Sequence, residues 1–313
     1  MRRWPWVQRI LWGFESVLIG LTIAVLRLLR PDQAAAAGGW ILRQVGPRQK
    51  KSRHLRRNYS IAFPDLDAGG IEALVKASWT NFGACMVEYA HLDDIANGRR
   101  GAGLECVVAP GIRALEARDR PAIFFTAHLG NWELAALAIY EQRIPVTAVY
   151  SPLPNPGLDR RLAKYRSVLG CKLVPRSDSM RPLLAEVKAG RSIGLLVDQK
   201  VENGEPLPFF GRDKMTTLIP ARLALRHDLE LVPIRIQRLE GSRFRATFLE
   251  PVRADAGAGG EIEQARQMMT RVNQLFEEWI RDDPGQWFCG NRRWPKDRQA
   301  AGEVTGGKHA AAK

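Results

Sequence analysis

Along most of this chain, the spacing of apolar and polar residues alternates between a pattern typical of strands and a pattern typical of helices. Seven short apolar runs rich in β-branched and aromatic residues predict seven strands. Most of the stretches between them have apolar residues at helical spacing instead. The predicted strands are residues 104–108, 122–127, 146–150, 171–175, 192–197, 231–236 and 244–249.

Helices are predicted before, between and after these runs. A long helix is predicted over 71–91, before the first strand, and an amphipathic one over 261–281, after the last. Strands that alternate with helices are typical of an α/β sheet covered by helices. The sequence therefore predicts one α/β domain with a mostly parallel or mixed sheet, and it contains no internal repeat. The shorter predicted helices are 112–118, 134–142, 158–169, 180–189 and 220–226.

The N-terminal stretch differs from the rest because it is apolar almost throughout. Residues 10–29 are about as many as span the hydrocarbon core of a bilayer, and only Glu15 and Arg27 interrupt them. Tryptophans cluster at one end, as at a membrane interface, while arginines flank both ends and fix no orientation. Residues 1–30 are therefore predicted to anchor the chain, as a tilted span or as a helix in the interface. A buried helix of a soluble domain is the alternative.

Net charge is the unusual part of the composition. The 313 residues carry +14 at neutral pH, with a sequence pI of about 10.1, which indicates an anionic partner. Seven basic residues fall within residues 43–57, where a cluster beside a membrane segment attracts anionic lipid. Because the chain has no RNP motif, zinc finger or recognition helix, membrane lipid rather than nucleic acid is the predicted partner. An ordinary solvated basic face is the alternative.

Two further features concern the domain boundary and the cysteines. The sequence from Ala300 onward is of low complexity, so residues 300–313 are predicted to be a disordered tail and 31–299 the folded domain. The four cysteines lie far apart without a CxxC pair. This spacing disfavours a zinc site or a disulfide framework, favours burial in the core, and fits a reducing cytoplasmic setting.

One histidine is predicted at the carboxyl end of a strand, where α/β folds bind their ligands. His128 directly follows the apolar run 122–127, and Glu133 comes five residues later, after the turn-prone pair Gly130 and Asn131. On one continuous helix this separation would put the two side chains on different faces, whereas across a strand-to-helix turn they can converge. A histidine stabilised by a carboxylate is a general base. The alternative is a strand-end histidine bonded to backbone, with Glu133 favouring the helix N-terminus.

Two other residues are predicted at the same edge of the sheet. Ligands of α/β sheets bind beyond the carboxyl ends of the strands. Asp198 directly follows the run 192–197, and Arg166 lies late in the helix after a proline-rich turn. The alternatives are a strand-end cap for Asp198 and an ordinary surface cation for Arg166.

In this order, the motifs resemble those of the lipid A biosynthesis acyltransferases, which add secondary acyl chains to Kdo-lipid IVA. The wider lysophospholipid acyltransferase group has His, four residues, then Asp or Glu, which matches His128 and Glu133 in the stretch HLGNWE. Ser151 stands where the family often has arginine, so another glycolipid acceptor, such as a phosphatidylinositol mannoside, is an alternative. The resemblance extends over nearly the whole chain and includes segments at 56–64, 149–156, 198–199, 209–217 and 291–294.

The resemblance implies a single acyltransferase-type domain and a direct transfer reaction. His128 would take the proton of an acceptor hydroxyl as it attacks the thioester of an acyl carrier protein or coenzyme A, with Glu133 orienting the histidine. The carrier protein is the expected donor, since such proteins are acidic. The implied acceptor is a lipid A precursor such as Kdo-lipid IVA, at the cytoplasmic face of the inner membrane. No metal or organic cofactor is required.

The resemblance also implies roles for the other candidates. Arg166 matches the family position expected to stabilise the oxyanion. Asp198 would support the site or contact the acceptor. Gly130 and Asn131 would shape the turn and offer backbone N–H groups near a helix N-terminus.

Two other functional classes explain part of the pattern. A membrane-bound hydrolase would also use a histidine and a carboxylate, but usually with an activated serine, and the chain has no G-x-S-x-G elbow. A non-enzymatic protein that binds membranes or nucleic acid would explain the charge but not the turn from His128 to Glu133. The sequence therefore favours an acyltransferase.

Overall fold

The structure is a computed structural model that describes residues 5–116, 120–175, 180–255, 257 and 259–295, so the predicted tail, 300–313, lies outside the described residues. The helices are α1 (Pro5–Leu26), α2 (Pro31–Val45), α3 (Ser52–Ala62), α4 (Ala68–Glu88), α5 (Leu92–Ala96), α6 (Arg113–Glu116), α7 (Leu134–Glu141), α8 (Pro156–Arg166), α9 (Met180–Lys188), α10 (Ile219–His227) and α11 (Glu261–Asp282). The strands are β1 (Gly103–Val108), β2 (Ala122–Thr126), β3 (Val146–Tyr150), β4 (Lys172–Pro175), β5 (Ser192–Leu196), β6 (Glu205–Phe209), β7 (Arg212–Thr216), β8 (Glu230–Arg238) and β9 (Arg243–Phe248).

The described residues form a central mixed sheet of seven strands in the order β1-β9-β8-β2-β5-β3-β4. Neighbours from β8 through β2, β5 and β3 to β4 are parallel, while β8 and β9 are antiparallel. These are the seven strands that the apolar runs predict. The predicted fold class, an α/β domain with a mixed sheet covered by helices, is confirmed.

Strand β2 lies near the centre of the sheet and contributes to two hydrophobic cores. All five of its residues are buried, and successive side chains point to opposite faces because the strand is pleated. Phe125 packs against Phe276 of α11, with ring centroids 5.8 Å apart. Phe124 packs on the other face against Phe248, at 6.0 Å. Packing on both faces thus holds β2, and with it the turn that follows.

The structure adds helices α2 and α3 and a hairpin to the predicted elements. Helix α2 packs closely on α4, since a Cβ on Gly38 would lie 2.7 Å from the backbone oxygen of Gly83. Helix α3 carries part of the basic segment 43–57. Strands β6 and β7 pair antiparallel, but Pro206 and Pro208 interrupt the pattern from which a strand is predicted.

Helix α1 is largely exposed. Trp6–Leu26 is long and apolar enough to cross a membrane, by length and composition, with a mean hydropathy of 1.7. It is the one such helix among the described residues, and none of its apolar window is buried. The alternative of a buried helix of a soluble domain is therefore wrong, while the span and the interfacial arrangement both stay predictions.

Candidate active site

His128 follows the carboxyl end of β2 on a tight turn. The backbone N–H of Phe288 donates to the carbonyl oxygen of His128 at 2.9 Å, and that of Gly130 donates to Gln286 at 3.3 Å. Gly130 has a φ of +56°, and a Cβ there would lie 2.7 Å from the backbone oxygen of Ile236. The turn therefore requires glycine at this position.

Asp198 lies beside the ring of His128. It follows β5, the parallel neighbour of β2, so the ends of the two strands bring the side chains together as the sequence predicts. His128 Nδ1 lies 2.6 Å from Asp198 Oδ1. When Nδ1 carries the proton and donates it to this carboxylate, Nε2 is left with a lone pair. The amide nitrogen of Gln199 lies 3.1 Å from that Nε2.

The Asp198 carboxylate is held entirely inside the protein. Its side chain is 0% exposed, and Oδ2 accepts from Arg293 Nη2 at 3.0 Å and from Trp287 Nε1 at 3.3 Å. Burial alone would raise the pKa of Asp198, but its electrostatic interactions with His128, Arg293 and Lys214 and its hydrogen bond with His128 hold that pKa well below its ordinary value. Asp198 therefore stays ionised next to the histidine.

Three of these partners were not predicted as site residues. Arg293 belongs to segment 291–294, which resembles the family, but it had no predicted role. Trp287 and Lys214 had none. Lys214 donates to the backbone oxygen of Asp198 at 3.4 Å, and burial lowers its pKa to about 7 in spite of the Asp198 charge.

The His128 ring has a different carboxylate partner from the predicted one. Both oxygens of Glu133 accept hydrogen bonds from Arg166, at 2.7 Å from Nε and 2.6 Å from Nη2. The turn directs Glu133 toward the end of α8, while Asp198 takes the position beside Nδ1. The expectation that Glu133 orients His128 by direct contact is corrected accordingly. Its importance for catalysis stays a prediction.

Arg166 is a partly buried member of the site and not an ordinary surface cation. Its side chain is 13% exposed, and Nη2 also donates to the hydroxyl of Tyr89 at 3.2 Å. Burial would lower the pKa of Arg166, but Glu133 raises it above its ordinary value. The alternative of a surface position for Arg166 is therefore wrong.

Gly130 and Asn131 hold the turn in place. The side chain of Asn131 is buried and donates to Glu88 Oε2 at 2.8 Å. The N–H of Gly130 is already donated to Gln286. The expectation that this N–H is available to a ligand is corrected, because the turn uses it.

A cavity of about 830 Å³ opens on His128. Its polar lining includes His128, Glu133, Arg166 and Gln199, and the larger part of its wall is apolar. Such a cavity suits a ligand with a long apolar part and a reactive polar end. Apolar lining residues come from several elements and include Ile19, Ile23, Phe125, Ala136, Leu183 and Leu223.

Helix α1 forms part of the cavity wall and is bonded to the domain. The side-chain amide of Asn155, before α8, donates to the backbone oxygen of Trp12 at 3.1 Å and to Glu15 at 2.9 Å. Near the other end of α1, Arg27 Nε donates to the backbone oxygen of Ala90 at 3.0 Å. The apolar helix is thus also a component of the site.

All four cysteines are free, and burial raises the pKa of each thiol. Cys85 and Cys289 are buried as predicted, whereas Cys106 and Cys171 are only partly buried. Within the described residues, no group of three or more His, Cys, Asp or Glu is arranged to hold a metal ion.

Comparison with known proteins identifies the family. The sequence model described as Bacterial lipid A biosynthesis acyltransferase matches residues 9–296. The phosphatidylinositol mannoside acyltransferase of Mycolicibacterium smegmatis is 28% identical over 283 residues, covering 87% of this chain and 89% of that protein. The lipid A biosynthesis acyltransferase of Haemophilus influenzae is 22% identical over 218 residues, 68% of this chain and 67% of that one.

A solved structure is also similar, although distantly. The 1-acyl-sn-glycerophosphate acyltransferase of Thermotoga maritima matches with a TM-score of 0.36 and 14% identity, over 71% of this chain and 90% of its own. The family is instead established by the sequence match over nearly the whole chain. The protein belongs to the bacterial lipid A biosynthesis acyltransferase family and is an acyltransferase.

Proposed function

We propose that this protein transfers a fatty acyl chain from an acyl carrier protein thioester to a hydroxyl of a glycolipid, with His128 as the general base. The observation that carries the proposal is the position of His128: its Nδ1 is held by the buried Asp198, and its ring lines a mostly apolar cavity. The cavity accepts the acyl chain, and the polar residues around His128 receive the two reacting groups.

The reaction begins at Nε2 of His128. Asp198 accepts the hydrogen bond from Nδ1–H, so Nε2 is the basic nitrogen. The acceptor hydroxyl replaces the amide of Gln199 at Nε2 and loses its proton there as its oxygen attacks the thioester carbonyl. Collapse of the tetrahedral intermediate releases the thiolate, which takes the proton back from the imidazolium. Asp198 stabilises the imidazolium between these two steps.

Arg166 stabilises the oxyanion in this proposal, and Glu133 positions Arg166. Glu133 accepts from Nε and Nη2 of the guanidinium, which leaves Nη1 without a hydrogen-bond partner among the described residues. A fixed cation with a spare donor suits an oxygen on which negative charge develops. This arrangement gives Glu133 a role without contact to the histidine.

The acceptor is a glycolipid, with two candidates. A lipid A precursor such as Kdo-lipid IVA is the first, supported by the family and by the relative from Haemophilus influenzae. A phosphatidylinositol mannoside is the second, favoured by the higher identity of the relative from Mycolicibacterium smegmatis and by Ser151 in place of the usual arginine.

The proposed location is the cytoplasmic face of the inner membrane. Helix α1 supplies an apolar anchor, and the basic segment 43–57 supplies charge for anionic lipid headgroups. The net charge of +14 also favours encounter with an acidic carrier protein.

The test uses the purified full-length protein in neutral detergent. An acyl carrier protein thioester and a coenzyme A thioester with the same acyl chain are each combined with Kdo-lipid IVA or a phosphatidylinositol mannoside. Mass spectrometry should find one acceptor heavier by one acyl chain, and His128→Ala should abolish this product. Thioester consumption that is independent of any lipid acceptor would contradict the proposal and indicate a hydrolase. Equal kcat/KM for the two donors, with equal salt dependence, would contradict the carrier-protein assignment.

A further inference from the structure

A second cleft lies beside the cavity of His128, between the end of α1 and α8. It has a volume of about 500 Å³, and its lining includes the cations Arg27, Arg161 and Lys164. Tyr165 and Arg161 line both this cleft and the cavity of His128. A group bound in the cleft would therefore lie next to the acyl-transfer site.

Among the described residues, the lining of this cleft carries more positive than negative charge. No ion pair is formed by Arg27, Arg161 or Lys164 in the part of the chain that the structure describes. The carboxylate that lines the cleft, Asp93, is paired with Arg99. Three neighbouring cations without a counter-charge create a local positive potential that attracts an anion. Arg166 differs from them because Glu133 already neutralises it.

Packing holds two of these cations in place. Arg27 Nε donates to the backbone oxygen of Ala90 at 3.0 Å, and its guanidinium carbon lies 5.4 Å from the ring centroid of Tyr165. The guanidinium of Arg161 lies against Gly20 of α1, where a Cβ would come within 2.0 Å of Nη1. These contacts fix the guanidinium groups before any ligand arrives, which reduces the entropy lost on binding.

The cleft is also at the depth of lipid headgroups if α1 lies in the membrane. Helix α1 ends at Leu26, and Arg27 follows it directly. Where an apolar helix ends at a basic residue, the hydrocarbon meets the headgroup layer. An anion at that depth is most often a phosphate.

We propose that this cleft binds the phosphate ester of one of the two substrates. Guanidinium and ammonium groups bind phosphate oxygens through short, charge-assisted hydrogen bonds. The depth of the cleft favours a headgroup phosphate of the acceptor glycolipid, and the phosphopantetheine arm of the donor is the other source of the same group. This inference rests on the proposed function, because it assigns the phosphate to a substrate of that reaction.

The first experiment measures the kinetics of the full-length Arg161→Gln and Lys164→Gln variants. Arg160→Gln is the matched control, since Arg160 is exposed on the same helix and does not line the cleft. The donor is an acyl-N-acetylcysteamine thioester, which has no phosphate, and the acceptor is a phosphorylated glycolipid or its dephosphorylated analogue. The two cleft variants should raise KM for the phosphorylated acceptor about tenfold with little change in kcat. With the dephosphorylated acceptor, Lys164→Gln, which does not line the cavity of His128, should match Arg160→Gln.

A second arm identifies the source of the phosphate. Acyl-phosphopantetheine is compared with acyl-N-acetylcysteamine on the dephosphorylated acceptor. A tenfold effect that follows the donor phosphate would assign the cleft to the donor and still support the proposal. Equal effects with and without phosphate on both substrates would overturn it, as would an equal effect in Arg160→Gln.

A binding measurement tests the cleft independently of whether the protein transfers an acyl group. Phosphorus NMR follows the binding of dihexanoylphosphatidylinositol to the full-length protein in neutral detergent, without any donor. Binding that is about tenfold weaker in Arg161→Gln than in Arg160→Gln supports the cleft, even if no acyl transfer is found. Unchanged binding and unchanged KM in an active enzyme would overturn the phosphate assignment of the cleft and leave the acyltransferase assignment intact.

Discussion

The site contains two carboxylate–arginine pairs that differ in burial. The side chains of Asp198 and Arg293 are 0% and 1% exposed, whereas those of Glu133 and Arg166 are 14% and 13% exposed. The first pair lies behind His128 and bonds its ring, while the second lines the cavity. In the proposed mechanism, the first pair fixes the base with an inaccessible charge, and the second keeps a charge at the cavity that receives the substrate. Breaking each pair should therefore change activity and stability to different extents.

Replacing His128, the proposed base beside the buried pair, should have the largest effect. His128→Ala removes the proton acceptor, so kcat should fall about 10⁴-fold. The thermal unfolding temperature should fall only modestly, because Asp198 loses its bond with His128 but keeps those from Arg293 and Trp287. Steady-state thioester assays and circular dichroism would measure the two quantities. A rate close to that of the wild type would contradict the assignment of the base.

Breaking the buried pair should cost both activity and stability. Asp198→Asn removes the charge that stabilises the imidazolium, so kcat should fall about 10³-fold. It also leaves Arg293 buried without its ion-pair partner, which should lower the free energy of unfolding by about 3–5 kcal/mol. Denaturant titration of wild type and variant measures this loss. An Asp198→Asn variant as stable as the wild type would show that the buried pair is not needed for the fold.

Breaking the cavity pair should cost activity with little loss of stability. Glu133→Gln removes the charge that holds Arg166, and kcat should fall about 10²-fold. Because the two residues act as a unit, the double variant with Arg166→Gln should be little worse than the poorer single variant. Additive losses in this double-mutant cycle would mean that Glu133 and Arg166 act separately.

Removing helix α1 should have a smaller effect on activity. Deletion of residues 1–30 removes a wall to which Ile19 and Ile23 contribute, so activity in detergent should fall about tenfold, on the scale of a few lost apolar contacts. The deletion should also move the protein toward the soluble fraction of cells, with salt weakening the binding that remains. Asn155→Ala, which loosens α1 without removing it, is the matched comparison. Full activity of the deletion in detergent would show that α1 serves only as an anchor.

The smallest expected effect concerns the pH dependence of stability. Burial lowers the pKa of Lys214 to about 7 from 10.5, so above pH 7 the unfolded chain binds a proton that the folded protein has lost. The free energy of unfolding should therefore rise with pH above 7. Lys214→Met should remove this rise, measured as melting temperatures from pH 7 to 8.5, below the ordinary pKa of the cysteine thiols. Parallel curves for the two proteins would contradict the shift.

Local pattern was sufficient to predict the sheet but not every partner of the site. Strands such as β2 and β5 are apolar runs a few residues long, so each can be read from its own sequence. Their shared edge also placed His128 and Asp198 together correctly. Glu133 was assigned to His128 because it is near in sequence, yet the direction of the turn decides which groups it meets.

Partners distant in sequence could not be derived from pattern alone. Arg293 reaches Asp198 across 95 positions, and Trp287 reaches it across 89. No periodicity in either segment indicates which strand end it will cover. Helix α2 was missed for a different reason. Its run of alanines and glycines lacks the large apolar residues that indicate a helix face, and α2 packs closely on α4 because its glycines have no side chain.

The distance along the chain between Asp198 and its arginine has a consequence for biosynthesis. Ribosomes synthesise a chain from its N-terminus, so the apolar helix α1 emerges early. Arg293 and Trp287 emerge almost a hundred residues after Asp198. Until they dock, the Asp198 carboxylate lacks two of its donors. If His128 is the base and α1 the anchor, a nascent chain can reach the bilayer before His128 is aligned, and it should gain activity only when the last segment of the domain has folded.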